Sequence, residues 1–247
     1  GPTLGDKSES YQGIVTGDLE RFRLRFWEVL ELGSAWVAFR TTISSTGLQD
    51  GCFAILFWEG GMGNLHTYAA ETRGQLHDMH ESGNRAWQRR GIALNRMSGL
   101  QATVYWGEHF DNNVAVVIPT NDTTITALLA FCSSARFSED VRKLDRTLKV
   151  TNRTLVKVPF DLVHWQRVAT EKYPAGLPKP FSSDPTQWLF NGHPKNSDNP
   201  LQVSVARLLG YRWPRQTGSS FPDCPALGAD GLEKFADGDG IVCISAI

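Results

Sequence analysis

The sequence predicts a mixed α/β fold (α+β), with a twisted, mainly antiparallel sheet, packed helices and a proline-rich C-terminal appendage, from three observations. Between residues 36 and 119, short apolar or alternating runs are separated by links containing glycine or asparagine, the pattern of strands and turns. From 125 to 173 the apolar spacing shifts toward the helical period. After Pro174, prolines at 178, 180, 185, 194 and 200 punctuate a mostly irregular stretch.

Taken in order, the run TGDLERFRLRFWEVLEL from Thr16 sets Phe22, Phe26 and Val29/Leu30 at helical spacing, with Asp18 as a cap. Strands are expected at WVAFR (36–40), CFAILFW (52–58), GIALNRM (91–97), ATVYW (102–106) and VAVVIP (114–119). The polar segment 64–84 suits a helix or a long excursion from the sheet. ITALLAFCSS (125–134) and SEDVRKLDRTL (138–148) read as helices, the second opening on Ser138 with acids first and bases later, as the helix dipole favours. LVKVPF (155–160) reads as a short strand, DLVHWQRVATEKY (161–173) as a helix that ends at Pro174, and PLQVSVARLLGYRW (200–213) as the one helix of the appendage. The final IVCISAI is strand-like. Domain limits of 34–173 for the main domain and 174–247 for the appendage follow.

With 247 residues the chain can bury a core, and 25 Lys+Arg against 26 Asp+Glu argue against a small, uniformly basic nucleic-acid binder. No run reaches the ~20 apolar residues of a membrane span and no secretory leader is evident, so a cytoplasmic protein without a membrane partner is expected. Gly1-Pro2 without an initiator Met reads as an excised segment. Cys52, Cys132, Cys224 and Cys243 lie far apart with no Cys-x-x-Cys pair, which suits reduced thiols.

Several chemistries lack their residues. An amino-methyltransferase needs an Asn/Asp/Ser-Pro-Pro-aromatic loop to hold a flipped base, and the chain has no Pro-Pro dipeptide. FAILFWEGGMGN resembles a glycine-rich cofactor loop only superficially, and a hairpin turn is the better reading. None of the eight lysines follows an acid by two positions, which removes the usual (Asp/Glu)-x-Lys nuclease. His77-x-x-His80, with His66 as a third, could present imidazoles to zinc, but no Glu or Cys stands at a familiar spacing. Exposed or capping histidines are expected instead. Asp237-Gly238-Asp239-Gly240 lacks the remaining ligands of a calcium loop. Catalytic, cofactor-binding and metal-ligating residues are therefore expected to be absent from this segment.

What remains is clustered positive charge. No acid occurs from Ser82 to Gly107, where Arg85, Arg89, Arg90 and Arg96 alternate with Trp87, Gln88, Asn95 and Gln101. Arginine forks bind phosphates or the guanine edge, and Gln or Asn can pair bidentately with adenine. A second cluster holds Arg142, Lys143, Arg146, Lys149, Asn152, Arg153 and Lys157, with Asp145 as the single acid among them. Its bland reading is a solvated helix face. The stretch from Gly218 carries five acids and one Lys, so the neutral total conceals a polarised chain.

The runs YQGIVTGDLERFRLRFWEV (11–29), AILFWEGGMG, AWQRRGIAL (86–94), VYWGEHFDNNVAVVIP (104–119), LLAFCSSARFSEDVRK (128–143) and TLVKVPFDL (154–162) resemble, in that order, the C-terminal target-recognition region of large N6-adenine DNA methyltransferases. These are type IIG restriction–modification enzymes and phage-defence methyltransferases of the BREX and DISARM kind. EKYPAGLPKPFSSDPTQWLFNGHP and LQVSVARLLGYRW are similar to the tail of one bacterial subgroup. The resemblance implies that the segment clamps double-stranded DNA for a catalytic methyltransferase domain of the same parent protein. S-adenosylmethionine would be the cofactor of that parent and other defence-system subunits its partners. It further implies that residues 1–33 are a lead-in or hinge from the catalytic domain, with Thr16-Gly17-Asp18 and Arg21 at the hinge. AWQRRGI would lie near DNA, and Thr151-Asn152-Arg153 in a loop approaching the backbone. The expected DNA-binding set is Arg21, Arg85, Gln88, Arg89, Arg90, Arg96, Gln101, Lys149, Asn152 and Arg153. The competing reading is a protein-interaction module, in which aromatics such as Trp27, Trp36, Trp165, Trp188 and Trp213 and the Pro-rich tail dock a partner subunit.

Overall fold

The computed structural model describes residues 1–30, 32–72, 79–97 and 99–217. The expected terminal strand, Cys224, Cys243, the acidic stretch, the Asp237–Gly240 turn and His77 lie outside the described residues. The chain divides into two compact units, Gly1–Pro178 and Lys179–Ile247.

In the first unit two four-stranded sheets form, both mainly antiparallel. One contains β1 (Ser8–Gln12), β5 (Gly91–Asn95), β6 (Ala102–Tyr105) and β8 (Val114–Pro119), ordered β1-β8-β5-β6. Its register aligns Ser10, Val117, Ile92 and Val104 across the sheet. The other contains β2 (Arg23–Arg25), β3 (Trp36–Arg40), β4 (Ala54–Phe57) and β7 (His109–Phe110), ordered β2-β4-β3-β7, with β3 and β7 parallel. Residues 1–33 thus give one strand to each sheet.

Every residue of β5 and β8 is buried, because both faces of the first sheet are covered. On one face Ala93, Val114, Val116 and Ile118 pack with Ile43, Ala86, Tyr105 and Phe110. Beyond the opposite face, α3 (Ile125–Cys132) packs on β5 and β6 and in turn carries α6 (Leu162–Lys172). Ala127, Ala130 and Ala169 meet at that helix pair, flanked by Leu162, Trp165 and Val168. A helix apolar nearly all round is the sequence form of such an inner layer. The second sheet builds its own core from Phe22, Phe39, Ala54 and Leu56 with Leu65 of α2 (Asn64–Glu71).

Several elements depart from the expectation. Asp18 caps α1 (Leu19–Phe22) by accepting from the Arg21 amide at 3.2 Å, but the helix stops after one turn and Arg23–Arg25 joins the second sheet. Residues four apart satisfy period two as well as the helical period, so buried Phe22 and Phe26 fit a strand equally. The expected helix 138–148 is α4 (Ala135–Leu144), capped by Ser134, whose hydroxyl accepts from the Phe137 amide at 3.3 Å. Where a strand was expected at 155–160, α5 (Asn152–Leu155) forms a turn, and the following residues bond the chain start instead. There the Leu4 amide donates to the Val158 carbonyl at 3.0 Å and the Phe160 amide to the Pro2 carbonyl at 3.0 Å.

The glycine loop after β4 is not a hairpin. It is a strand, a 3₁₀ turn (Glu59–Gly61) and then α2. That order is the one a nucleotide loop uses, yet the helix start is already occupied: Glu59 accepts from the Asn64 amide at 2.6 Å. A carboxylate there takes the place a phosphate would need. A Cβ on Gly63 would fall 2.2 Å from a Glu59 oxygen, so glycine is required for the cap to close.

The second unit holds α7 (Pro200–Leu208) and α8 (Pro214–Thr217) around buried Trp188, Leu189, Phe190, Val203 and Trp213. The Trp213 indole donates to the Pro185 carbonyl at 2.8 Å, and Arg215 to the Pro180 carbonyl at 2.8 Å. Each proline removes a backbone donor from this unit, and here side-chain donors serve two of its carbonyls. No helix among the described residues is long and apolar enough to cross a membrane.

Candidate nucleic-acid interface

The acid-poor segment, which starts at Ser82, makes a 3₁₀ turn over Asn84–Ala86 and runs into β5. Its inner side is anchored twice. Ala86 is wholly buried in the core of the first sheet, and Trp87 packs against the cores of both sheets. Trp87 lies over His109 with ring centroids 3.9 Å apart, while Trp58 meets Trp87 edge-on at 5.3 Å. Burial drives the His109 imidazolium pKa down to about 3, so the ring stacks as a neutral aromatic near pH 7.

The outer side is shaped by one unusual residue. Gln88 has φ +61°, a conformation side chains other than glycine seldom adopt, and its amide donates to the Gly107 carbonyl at 2.8 Å. Gly107 has φ +108°, and a Cβ there would sit 2.8 Å from the Gln88 Cα. The close approach of these two backbones turns Arg85, Gln88 and Arg89 outward, and all three are exposed. Arg85 stands 3.8 Å from Glu9 and over the Tyr11 ring at 5.7 Å, and the Arg89 guanidinium donates to the Arg85 carbonyl at 3.2 Å. Burial first, and then the bond to Glu9, raises the Tyr11 phenol above its ordinary value, so it remains a neutral donor. Arg90 is half-buried, its guanidinium 5.2 Å from the Trp106 ring centroid.

Arg96 does not join this group. Only 7% exposed at the far end of β5, it donates to the Val150 and Asn112 carbonyls, each at 2.9 Å. Six residues of strand place it about 20 Å from Arg90. Its guanidinium is consumed by the carbonyls of two loops, an instance of buried polar groups finding partners. Gln101 is likewise engaged, accepting from the Asn95 side-chain amide at 3.1 Å.

The second cluster is also sorted by the fold. Arg142 donates to the Thr147 and Met97 carbonyls, and Lys143 pairs with Asp140 at 2.8 Å. Lys149 is exposed with its ammonium 2.8 Å from the Asn113 side-chain oxygen; partial burial and then the nearby Arg96 charge lower its pKa. Asn152 reaches across to the Ser10 carbonyl of β1 at 3.1 Å, and Arg153 beside it is exposed. Since Glu9 and Tyr11 flank Ser10, β1 connects the Asn152–Arg153 turn with the Arg85–Arg89 turn. Arg21 is exposed elsewhere, its guanidinium 5.4 Å from the Tyr68 ring centroid on α2.

Sequence reading missed the pair at the centre of the unit. Arg40 and Glu108 are fully buried and 2.5 Å apart, and Arg40 also donates to the Thr103 hydroxyl and Val104 carbonyl, each at 3.1 Å. Neither residue stands in a spacing that announces its partner 68 positions away. The histidines differ from expectation too: His80 is buried and His66 half-buried, and they lie side by side. No protein-family model matches the chain, and no curated protein matches it significantly.

Proposed function

We propose that this chain is a double-stranded DNA-binding target-recognition region of an S-adenosylmethionine-dependent N6-adenine DNA methyltransferase in a restriction–modification or phage-defence system. Catalysis, and the cofactor, belong to the rest of a bacterial, cytoplasmic parent enzyme. The observation that carries the reading is the mounting of Arg85, Gln88 and Arg89. Two cationic forks and an amide stand outward on a turn whose other side is locked into two cores. A rigid mount of this kind suits recognition, because the groups that touch DNA are ordered before binding and lose little entropy. Arg153 and Lys149 would add phosphate contacts that fix register without reading sequence.

The test is fluorescence anisotropy on duplex DNA, combined with rounds of selection from a randomised duplex pool. The proposal expects binding at low salt, log K falling with log salt by about 0.9 per phosphate contacted, and enrichment of one short sequence. No binding at low salt, or binding without enrichment, would overturn sequence-specific recognition.

A specific observation favours the partner-docking reading for the second unit. Leu201, Val205 and Leu208 recur at helical spacing on α7 and are 70%, 47% and 59% exposed, whereas Trp188 and Trp213 are core residues. Removal of residues 179–247 would then abolish a stable complex with another subunit while leaving DNA affinity intact.

A further inference from the structure

His66 lies in the first turn of α2, and His80 and Glu81 lie on the 3₁₀ turn Met79–Glu81, which packs against that helix. His66 Nδ1 and His80 Nε2 are 3.3 Å apart, with the two rings inclined at 67°. Glu81 brings a carboxylate oxygen 4.0 Å from the same His80 nitrogen, and all three ligand atoms fall within 4.8 Å of one another. Ligands at about 2.0–2.1 Å from a tetrahedral zinc ion stand about 3.3–3.4 Å from each other. The histidine pair already has that separation. The Glu81 side chain is 48% exposed, so the site opens to solvent on its side, and ligation would require its carboxylate to close the remaining distance.

We infer that His66, His80 and Glu81 form a binding site for a divalent transition-metal ion of the zinc class. Two imidazoles and one carboxylate favour zinc, cobalt or nickel over magnesium and calcium, which take oxygen ligands. Three protein ligands leave a fourth position for water. The ion would tie α2 to the turn that leads through Gly83 into Arg85–Arg89, closing a loop between residues 66 and 80. The Met79 carbonyl already accepts from the Val15 amide at 3.0 Å, so the second anchor is itself held to the body of the unit. A hydrogen bond between the two imidazoles uses one shared proton and has no need of Glu81. An ion needs both lone pairs and the carboxylate.

The experiment strips the purified chain with a chelator and titrates it with zinc chloride and with cobalt chloride, by calorimetry and visible absorption. The proposal expects one equivalent bound, cobalt bands in the visible range, a higher melting temperature with zinc and none of these with magnesium. His66→Ala and Glu81→Gln should each weaken binding by roughly tenfold or more. His164→Ala, on α6, should leave affinity unchanged. Circular dichroism of metal-free variants separates lost ligation from lost fold, and the His66–His80 pair predicts that Glu81→Gln folds normally. Less than one equivalent bound by the intact chain, or affinity unaltered in both His66→Ala and Glu81→Gln, overturns the site.

Discussion

Arg40 and Arg96 can be set against Arg85 and Arg89. All four are arginines on or beside the two sheets, but the first pair is buried and surrounded by carbonyls and a carboxylate, while the second is exposed on a turn. The difference lies in what their surroundings offer. Loops at 112 and 150, and strand β6, present oxygens that the Arg96 and Arg40 guanidinium groups bond. The turn at 84–89 is held by Ala86, Trp87 and the Gln88–Gly107 bond, and although Arg89 donates to the Arg85 carbonyl and Arg85 stands beside Glu9, both arginines stay exposed. One residue type thus stabilises the fold in one place and is displayed in another.

The contrast can be broken at its buried side with the largest effect. Arg40→Ala removes the cation from a wholly buried ion pair, and denaturant unfolding should show a loss of about 3–5 kcal/mol. A loss below 1 kcal/mol would mean that the pair is not desolvated. For Arg96→Ala, two carbonyls lose their donor, and about 1–3 kcal/mol should disappear from stability. DNA affinity measured on the folded protein should barely change.

The mount itself is sensitive to acid through His109. Its folded pKa lies below the unfolded value, so the unfolded chain binds the extra proton between about pH 6.5 and about pH 3. Stability from this group is present above pH 6.5 and falls as pH drops through that window, by up to about 1.4 kcal/mol per pH unit. Melting temperature followed from pH 7 to pH 4 should show it, and His109→Phe should flatten that part of the profile. At the exposed side, Arg85→Ala with Arg89→Ala should move stability by no more than about 0.5 kcal/mol.

The five longer strands between 36 and 119 and the helices at 125–132, 135–144, 162–172 and 200–208 were readable because alternating or helical burial leaves a direct trace in residue order, whereas the two-residue β7 and the single turn of α5 leave none. The helix expected after Thr16 was not, since Phe22 and Phe26 suit both periods and pairing with β4 decided between them. The glycine loop was misread for a related reason. Whether Gly60–Gly63 makes a hairpin or starts a helix depends on the Glu59 cap, which is a matter of geometry. Within the basic segment, composition grouped Arg85 through Arg96, but the fate of each depended on oxygens brought from 112 and 150 by folding. The His66–Glu81 approach was hidden likewise, because its members come from two separate elements, α2 and the Met79–Glu81 turn.

Arg85 and Arg89 are the displayed cations of the basic segment, and Arg96 is not. The most direct measurement is the salt dependence of duplex binding for the intact chain, the Arg85→Ala/Arg89→Ala protein and Arg96→Ala. The double variant should keep its melting temperature while the slope of log K against log salt falls by roughly two contacts, and Arg96→Ala should keep the original slope. An unchanged slope in the double variant, or a reduced slope in Arg96→Ala alone, would contradict this division of the arginines.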